Sequence, residues 1–202
     1  MIGLAIALLS AIQEVGNDYF PINPGVSMTY SDTADQDAEL VSVMRDQTEV
    51  GGVKVWPVES LRNGRSVGIT YYSIDSEAVK IASFSKTSLL TQPRPVFLKT
   101  TGDSRWTYEG FTTFRVNPAA LKMKGFSHPG KPMKRGTKSF DTLEVTLDAT
   151  IGVGPGSFTT RQVVVFGKGI GMVRMDETAF VDGRKLSHTV SLTAIGTEPF
   201  GK

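Results

Sequence analysis

The sequence predicts a single, mainly β domain: an antiparallel sheet with little helix, rolled into a half-barrel or stacked as a sandwich. Three observations point there. Apolar residues recur with a period of two, which puts one side of each strand against a core and the other in water. Glycine and proline corners fall between the alternating runs. The runs follow one another at short intervals with almost no helical segment between them, which disfavours a βαβ fold.

The elements read in chain order as follows. Ile2 to Ile12 is an uncharged apolar run. It matches the core of a secretory signal and is too short to span a bilayer as a helix. Leu9-Ser10-Ala11 offers a cleavage site, and Gln13 to Asp18 reads as the frayed start of the mature chain. The other reading of this run is a buried first strand or helix, because no basic residue stands before it. On the first reading, residues 1–18 are signal peptide and frayed start, and residues 19–202 are one β domain with no internal boundary.

Pro21 and Pro24 fix φ and remove backbone donors, and so end pairing near the entry to the first strand. Val67 to Asp75 is rich in β-branched and aromatic residues, and Val79 and Ile81 alternate with Lys80 and Ala82. Phe111 to Val116 follows as a strand, and Pro118 to Lys124 is the only helix-like stretch. Phe126 to Lys138 is the most loop-like part and divides the sheet into two halves. Leu143, Val145 and Leu147 then alternate with polar neighbours, as do Val190, Leu192 and Ala194. Arg161 to Phe166 and Gly171 to Asp176 are strand-like between them. Pro24-Gly25, Gly51-Gly52, Pro129-Gly130 and Pro155-Gly156 mark turns. Asn63-Gly64 and Asp182-Gly183 suit two-residue hairpins, whose central residues need positive φ.

Composition narrows function. There are 22 Lys+Arg against 20 Asp+Glu, a net charge of +2, without the basic excess of a dedicated nucleic-acid binder. The absence of cysteine excludes a disulfide framework, a thiol nucleophile and a zinc-thiolate site, and two histidines leave little room for histidine chemistry. Gly167-Lys168-Gly169-Ile170-Gly171 follows a strand, but another strand follows it, whereas phosphate binding needs a helix N-terminus there. Gly152 to Gly156 lacks the Gly-Lys-Ser/Thr ending of a Walker loop. Gly125-Phe126-Ser127-His128-Pro129 lacks the last glycine of a nucleophile elbow. Asp32, Asp35, Asp37 and Glu39 are oxygen-rich like a calcium loop, but without EF-hand spacing. Asp75, Glu77, Glu109, Asp141 and Glu144 show no spacing that singles out a hydrolytic pair. The sequence therefore predicts no catalytic residues, no metal and no cofactor.

Tyr19-Phe20-Pro21-Ile22-Asn23-Pro24-Gly25, followed by Met28-Thr29-Tyr30, resembles the "YFPL-x-x-G-x-x-W-x-Y" start of uncharacterised bacterial extracytoplasmic β-proteins. Phe140 to Val145 resembles their "F-x-T-x-x-V" strand, and Val165 to Arg174 their "W-Y-A-x-G-V-G-x-V" strand. Pro95 to Leu98 with Gly102 and Trp106 resembles their repeated "P-x-x-L…G-x-x-W". Met28 stands where that pattern has Trp, and Gly167 where it has Ala. The resemblance implies an exported antiparallel β-protein, with an open half-barrel like the LolA/LolB lipoprotein carriers as one form. It implies no activity.

Two surfaces are left as binding candidates. Trp56, Tyr71, Tyr72, Trp106, Tyr108 and Phe166 sit on or beside strands and would line an apolar cleft on the concave face. Adjacent Tyr71 and Tyr72 must face opposite sides of their strand. Lys131, Lys134, Arg135 and Lys138 lie in a basic stretch that also includes Lys122 and Lys124, suited to peripheral contact with an anionic surface. The expected function is that of a non-catalytic, extracytoplasmic cell-envelope protein binding a lipid-like apolar ligand or a protein partner. The alternative is a structural or adhesive module working through surface or edge strands.

Overall fold

A computed structural model describes residues 17–84, 90, 94–114, 117–153, 156–181 and 184–199. The apolar run Ile2 to Ile12 and the turns at Pro155 and Asp182-Gly183 lie outside them. Among the described residues every regular element is a strand, and every pairing is antiparallel. The strands are β1 (Ser27–Asp32), β2 (Leu40–Met44), β3 (Thr48–Val50), β4 (Val53–Arg62), β5 (Arg65–Ile74), β6 (Ala78–Ser83), β7 (Val96–Lys99), β8 (Ser104–Phe114) and β9 (Asn117–Pro129). They continue with β10 (Met133–Arg135), β11 (Lys138–Phe140), β12 (Thr142–Val153), β13 (Gly156–Gly167), β14 (Gly171–Val181), β15 (Arg184–Ile195) and β16 (Glu198–Pro199).

One sheet runs in the order β7-β6-β5-β4-β2-β1-β15-β14-β13-β12-β9-β8, with β3 paired to β4 and β16 to β15. The sheet is nearly closed into a barrel. Its two edges meet through side chains. Trp106 Nε1 on β8 donates to the Val96 carbonyl at 2.8 Å, and Ser127 Oγ on β9 donates to the Lys99 carbonyl at 2.9 Å. The indole lies over Gly125, its cross-strand partner, so closely that a Cβ there would stand 2.0 Å from Trp106 Cε2. Only glycine lets the ring lie flat enough to reach β7.

Alternation builds the wall as expected. Leu143, Val145 and Leu147 are buried with Val164 and Phe166, while Glu144 and Asp148 face outward. Glu109, Lys122, Lys124, Arg161 and Arg174 also stand on the outer face, the reverse of a transmembrane barrel, whose outer band is apolar. No described helix is long and apolar enough to cross a membrane. Asn63-Gly64 makes the expected hairpin, with φ of 50° and 73°. Gly169 and Gly171 turn β13 into β14 at φ of 71° and 103°.

Two segments differ from expectation. Pro118 to Lys124 is not helical; it belongs to β9. Ala119, Leu121 and Met123 are buried, while Ala120, Lys122 and Lys124 are exposed, so the period is two. Alanine, leucine, lysine and methionine favour helix intrinsically, but pairing with β8 and β12 on both sides overrides that preference. Phe126 to Lys138 is not one loop. Phe126 to Pro129 completes β9, and β10 and β11 form a small hairpin beyond it. Ala82 also departs from alternation. It is buried on the outer side with Val50, Val55 and Tyr71, in the region where β3 adds to β4.

Candidate functional site

The barrel encloses a cavity of about 880 Å³. One end is closed by two pieces of chain. The first is a strap before β1. The buried Asn17 side chain donates to the Asp75 carbonyl at 3.2 Å, and its oxygen accepts from the Tyr19 amide at 3.0 Å. The Asp18 carbonyl accepts from the Gly169 amide at 2.7 Å, and its carboxylate pairs with Lys168 at 3.1 Å. Of the stretch expected to fray, Asn17 and Asp18 are therefore tied to turns on two sides of the barrel. The second piece is the β10–β11 hairpin, whose Met133 and Phe140 pack against the cluster of Tyr30, Val173, Val190 and Leu192.

The strap carries Phe20 into the floor of the cavity. Its ring centroid lies 5.1 Å from Tyr72, 6.3 Å from Phe97 and 6.4 Å from Phe166. Phe97 lies 5.4 Å from Tyr72 and meets Phe166 edge-on at 5.7 Å. Burial pushes the Tyr72 hydroxyl pKa up to about 12. Met28, Met172, Met175, Leu121, Met123 and Ile151 continue the apolar lining, and the thioethers give it an adaptable surface. Tyr30 donates to the Met172 carbonyl at 3.2 Å, and burial raises its pKa as well.

A polar belt crosses the wall above this floor. Gln162 on β13, Glu177 on β14 and His188 on β15 are consecutive cross-strand neighbours, and all three line the cavity. His188 Nδ1 lies 2.9 Å from Asp32 Oδ1 and Nε2 lies 3.4 Å from Glu177 Oε2. Burial disfavours the charged imidazole, but the hydrogen bond and charge of Asp32, together with Glu177, outweigh it and hold the pKa above the usual histidine range. Burial likewise opposes the Asp32 carboxylate. The Ala34 amide, His188 and Arg62 overcome it and keep the pKa below the usual range. Arg62 reaches Asp32 and Asp35 at 3.5 Å each, so a guanidinium already sits in that acidic cluster.

The predicted aromatic residues divide. Tyr72 and Phe166 line the cavity. Trp106 and Tyr108 are buried in the main core, and Trp106 holds the seam. Trp56 is paired with Tyr72 but is not among the lining residues. Tyr71 faces the other side, as adjacency requires, and is buried with Val50 and Val55. Of the basic residues, Lys131, Lys134 and Lys138 are exposed on and beside the small hairpin, whereas Arg135 lines the cavity. Ser127 is fully buried and His128 turns outward to Glu144 at 3.3 Å, so the pair shares no face. Among the described residues, no group of three or more acidic or histidine side chains is arranged to hold a metal ion. Sequence reasoning missed Phe20, Phe97, the methionines and the polar belt. The sequence signal for Phe20 was the Tyr-Phe-Pro strap itself. The belt left none, because its members are far apart in the chain.

No protein-family model matches this chain, and no curated protein matches it by sequence. Two solved structures are similar in fold. One, described as a "putative lipoprotein" from Parabacteroides distasonis, has a TM-score of 0.53 at 10% identity, covering 91% of this chain and all of its own. The other, described as an exported protein with a YmcC-like fold from Bacteroides fragilis, has a TM-score of 0.51 at 13% identity, covering 87% of this chain and 97% of its own.

Proposed function

We propose that this chain is an extracytoplasmic, non-catalytic binding protein of the cell envelope whose barrel takes up an apolar ligand such as a lipid. The observation that carries the reading is the cavity of about 880 Å³, floored by Phe20, Tyr72, Phe97 and Phe166. Sites for small apolar molecules have this size and this kind of lining. The descriptions of the two fold neighbours as lipoprotein and exported protein support the location. The resemblance of the Tyr19–Gly25 and Val165–Arg174 segments to bacterial exported β-proteins agrees with it. These two segments touch, since the Phe20 ring meets Phe166, and Asp18, just before the first, bonds Gly169.

The test is native mass spectrometry of the purified protein, with titration of a fluorescent hydrophobic dye. The expected results are a co-purifying lipid and saturable dye uptake with the near-UV dichroism intact. An empty barrel that takes up no dye rejects the reading.

A second reading, an adhesive module, draws on exposed Val67, Phe111, Phe180 and Leu186. It predicts self-association or partner capture that a charge placed at Phe180 abolishes. A strictly monomeric protein with no crosslinked partner rejects it.

A further inference from the structure

An apolar cavity needs no charge, yet this one has a carboxylate–imidazole–carboxylate chain in its wall. Asp32 is buried behind His188, and Glu177 lies before it with its side chain only 20% exposed. Such groups are costly to desolvate, and a barrel built only to stay folded would be at least as stable with hydrophobic residues there. The belt also lies between two apolar zones. Phe166 is on the floor, and Phe158 lies on the other side of Gln162 along β13. Gln162 and Phe166 are separated by roughly 13 Å of extended strand.

The hydrogen-bonding capacity of the belt is only partly used. His188 engages Glu177 Oε2, and no other described side chain bonds that carboxylate. Gln162, directly opposite Glu177 in the register, has no hydrogen-bond partner for its amide among the described residues. Side chains opposite one another in a sheet stand about 5 Å apart at Cβ, so one ligand group can meet both. The wall is rich in carboxylate: Asp32 and Glu177 flank the single imidazole of His188, while Arg62 and Asp35 behind them offset one another.

Resting on the reading of the cavity as an apolar-ligand site, we propose that Glu177 and Gln162 form its head-group subsite, and that the ligand is an amphiphile whose polar end is a hydrogen-bond donor, an amine or hydroxyl, rather than a carboxylate or phosphate. The apolar body lies on the aromatic floor and the donor meets the belt. Glu177 accepts from the donor, and the Gln162 amide completes the contact. An anionic head at this level would face Glu177, with Asp32 behind His188, and is rejected by like charge in a poorly solvated wall. Among the described residues, the one cation lining the cavity outside the belt is Arg135, on the small hairpin at the strapped end.

Three probes with one chain length separate the outcomes: dodecylamine, dodecanol and laurate, each below its micellar concentration, in competition with a bound hydrophobic dye. The amine and the alcohol are expected to displace the dye at concentrations at least ten-fold below laurate. In Glu177→Gln, whose fold is checked by near-UV dichroism, the amine-to-laurate ratio is expected to shrink at least ten-fold while dodecanol changes little. Laurate binding as tightly as the amine in the wild-type protein overturns the subsite and leaves the apolar-ligand reading standing. Laurate binding more tightly places the head at Arg135 instead and equally overturns it. An unchanged ratio in Glu177→Gln removes Glu177 from the role. If none of the three probes displaces dye and no dye enters, the cavity reading fails and the subsite fails with it.

Discussion

The two ends of the barrel are built from the same alternating strands and end up differently. At the strapped end, the chain before β1 and the β10–β11 hairpin cross the barrel, and the inward rings of Tyr72 and Phe166 are covered by Phe20. The large apolar residues left exposed, all but Val26, gather toward the opposite end: Val67, Phe84, Phe111, Phe180 and Leu186. Strand directions place them there, since Arg65, Phe114, Val181 and Arg184 are strand ends on that side. The difference teaches that alternation sets which face a side chain takes. On the inward face, Tyr72 and Phe166 are buried where the strap crosses, while Leu186 is exposed toward the other end; Phe111 and Phe180 are exposed because they alternate with inward residues and stand on the outer face.

The strongest way to break this comparison is to remove the floor. Phe166 is fully buried and touches Phe20 and Phe97. Phe166→Ala is expected to destabilise by about 3–5 kcal/mol, through lost burial and an enlarged cavity. Urea unfolding followed by tryptophan fluorescence measures it. A loss under 1 kcal/mol would mean that the floor is not packed.

The strap comes next. Asn17→Ala leaves the Asp75 carbonyl and the Tyr19 amide without their partner, a cost of about 1–3 kcal/mol. The same change should speed amide exchange at Gly169, which bonds to Asp18. Unchanged exchange there would show that the strap holds without Asn17.

The sequence disclosed the wall and hid the ends. Leu143 to Leu147 and Val190 to Ala194 showed their strands because each pattern lies within one segment. Tyr71 and Tyr72 could be assigned to opposite faces, but which tyrosine faced in could not be read, because β3 covers the outer one. Pro118 to Lys124 was hidden by helix-favouring residues on a paired strand. The polar belt was illegible for another reason. Asp32 and His188 are 156 positions apart and meet only because β1 pairs with β15.

The belt gives a smaller, pH-dependent prediction. The His188 pKa is raised on folding, so its stabilisation is complete below about pH 6.5 and is lost as pH rises through the folded value. The Asp32 pKa is lowered, so its contribution is present above about pH 4 and is lost as pH falls through the folded value. His188→Gln should therefore flatten the alkaline fall of Tm relative to wild type and bring the two curves together above that fall. Parallel curves from pH 5 to 9 would remove His188 from the pH response.

The smallest expected effect, at Leu186, gives the sharpest test of the two ends, because its large counterpart lies on the same strand. Leu186 and Leu192 both lie on β15 and share its inward face with His188 and Val190. Leu192 is 6% exposed and sits in the cluster with Tyr30, whereas Leu186 is 58% exposed toward the far end. Leu192→Ala should cost about 2–5 kcal/mol, as for a core leucine. Leu186→Ala should stay within about 0.5 kcal/mol, as for a surface site. The contrast depends on Leu186 keeping that exposure in solution. If both substitutions cost the same, Leu186 belongs to a packed core, and the difference between the ends disappears.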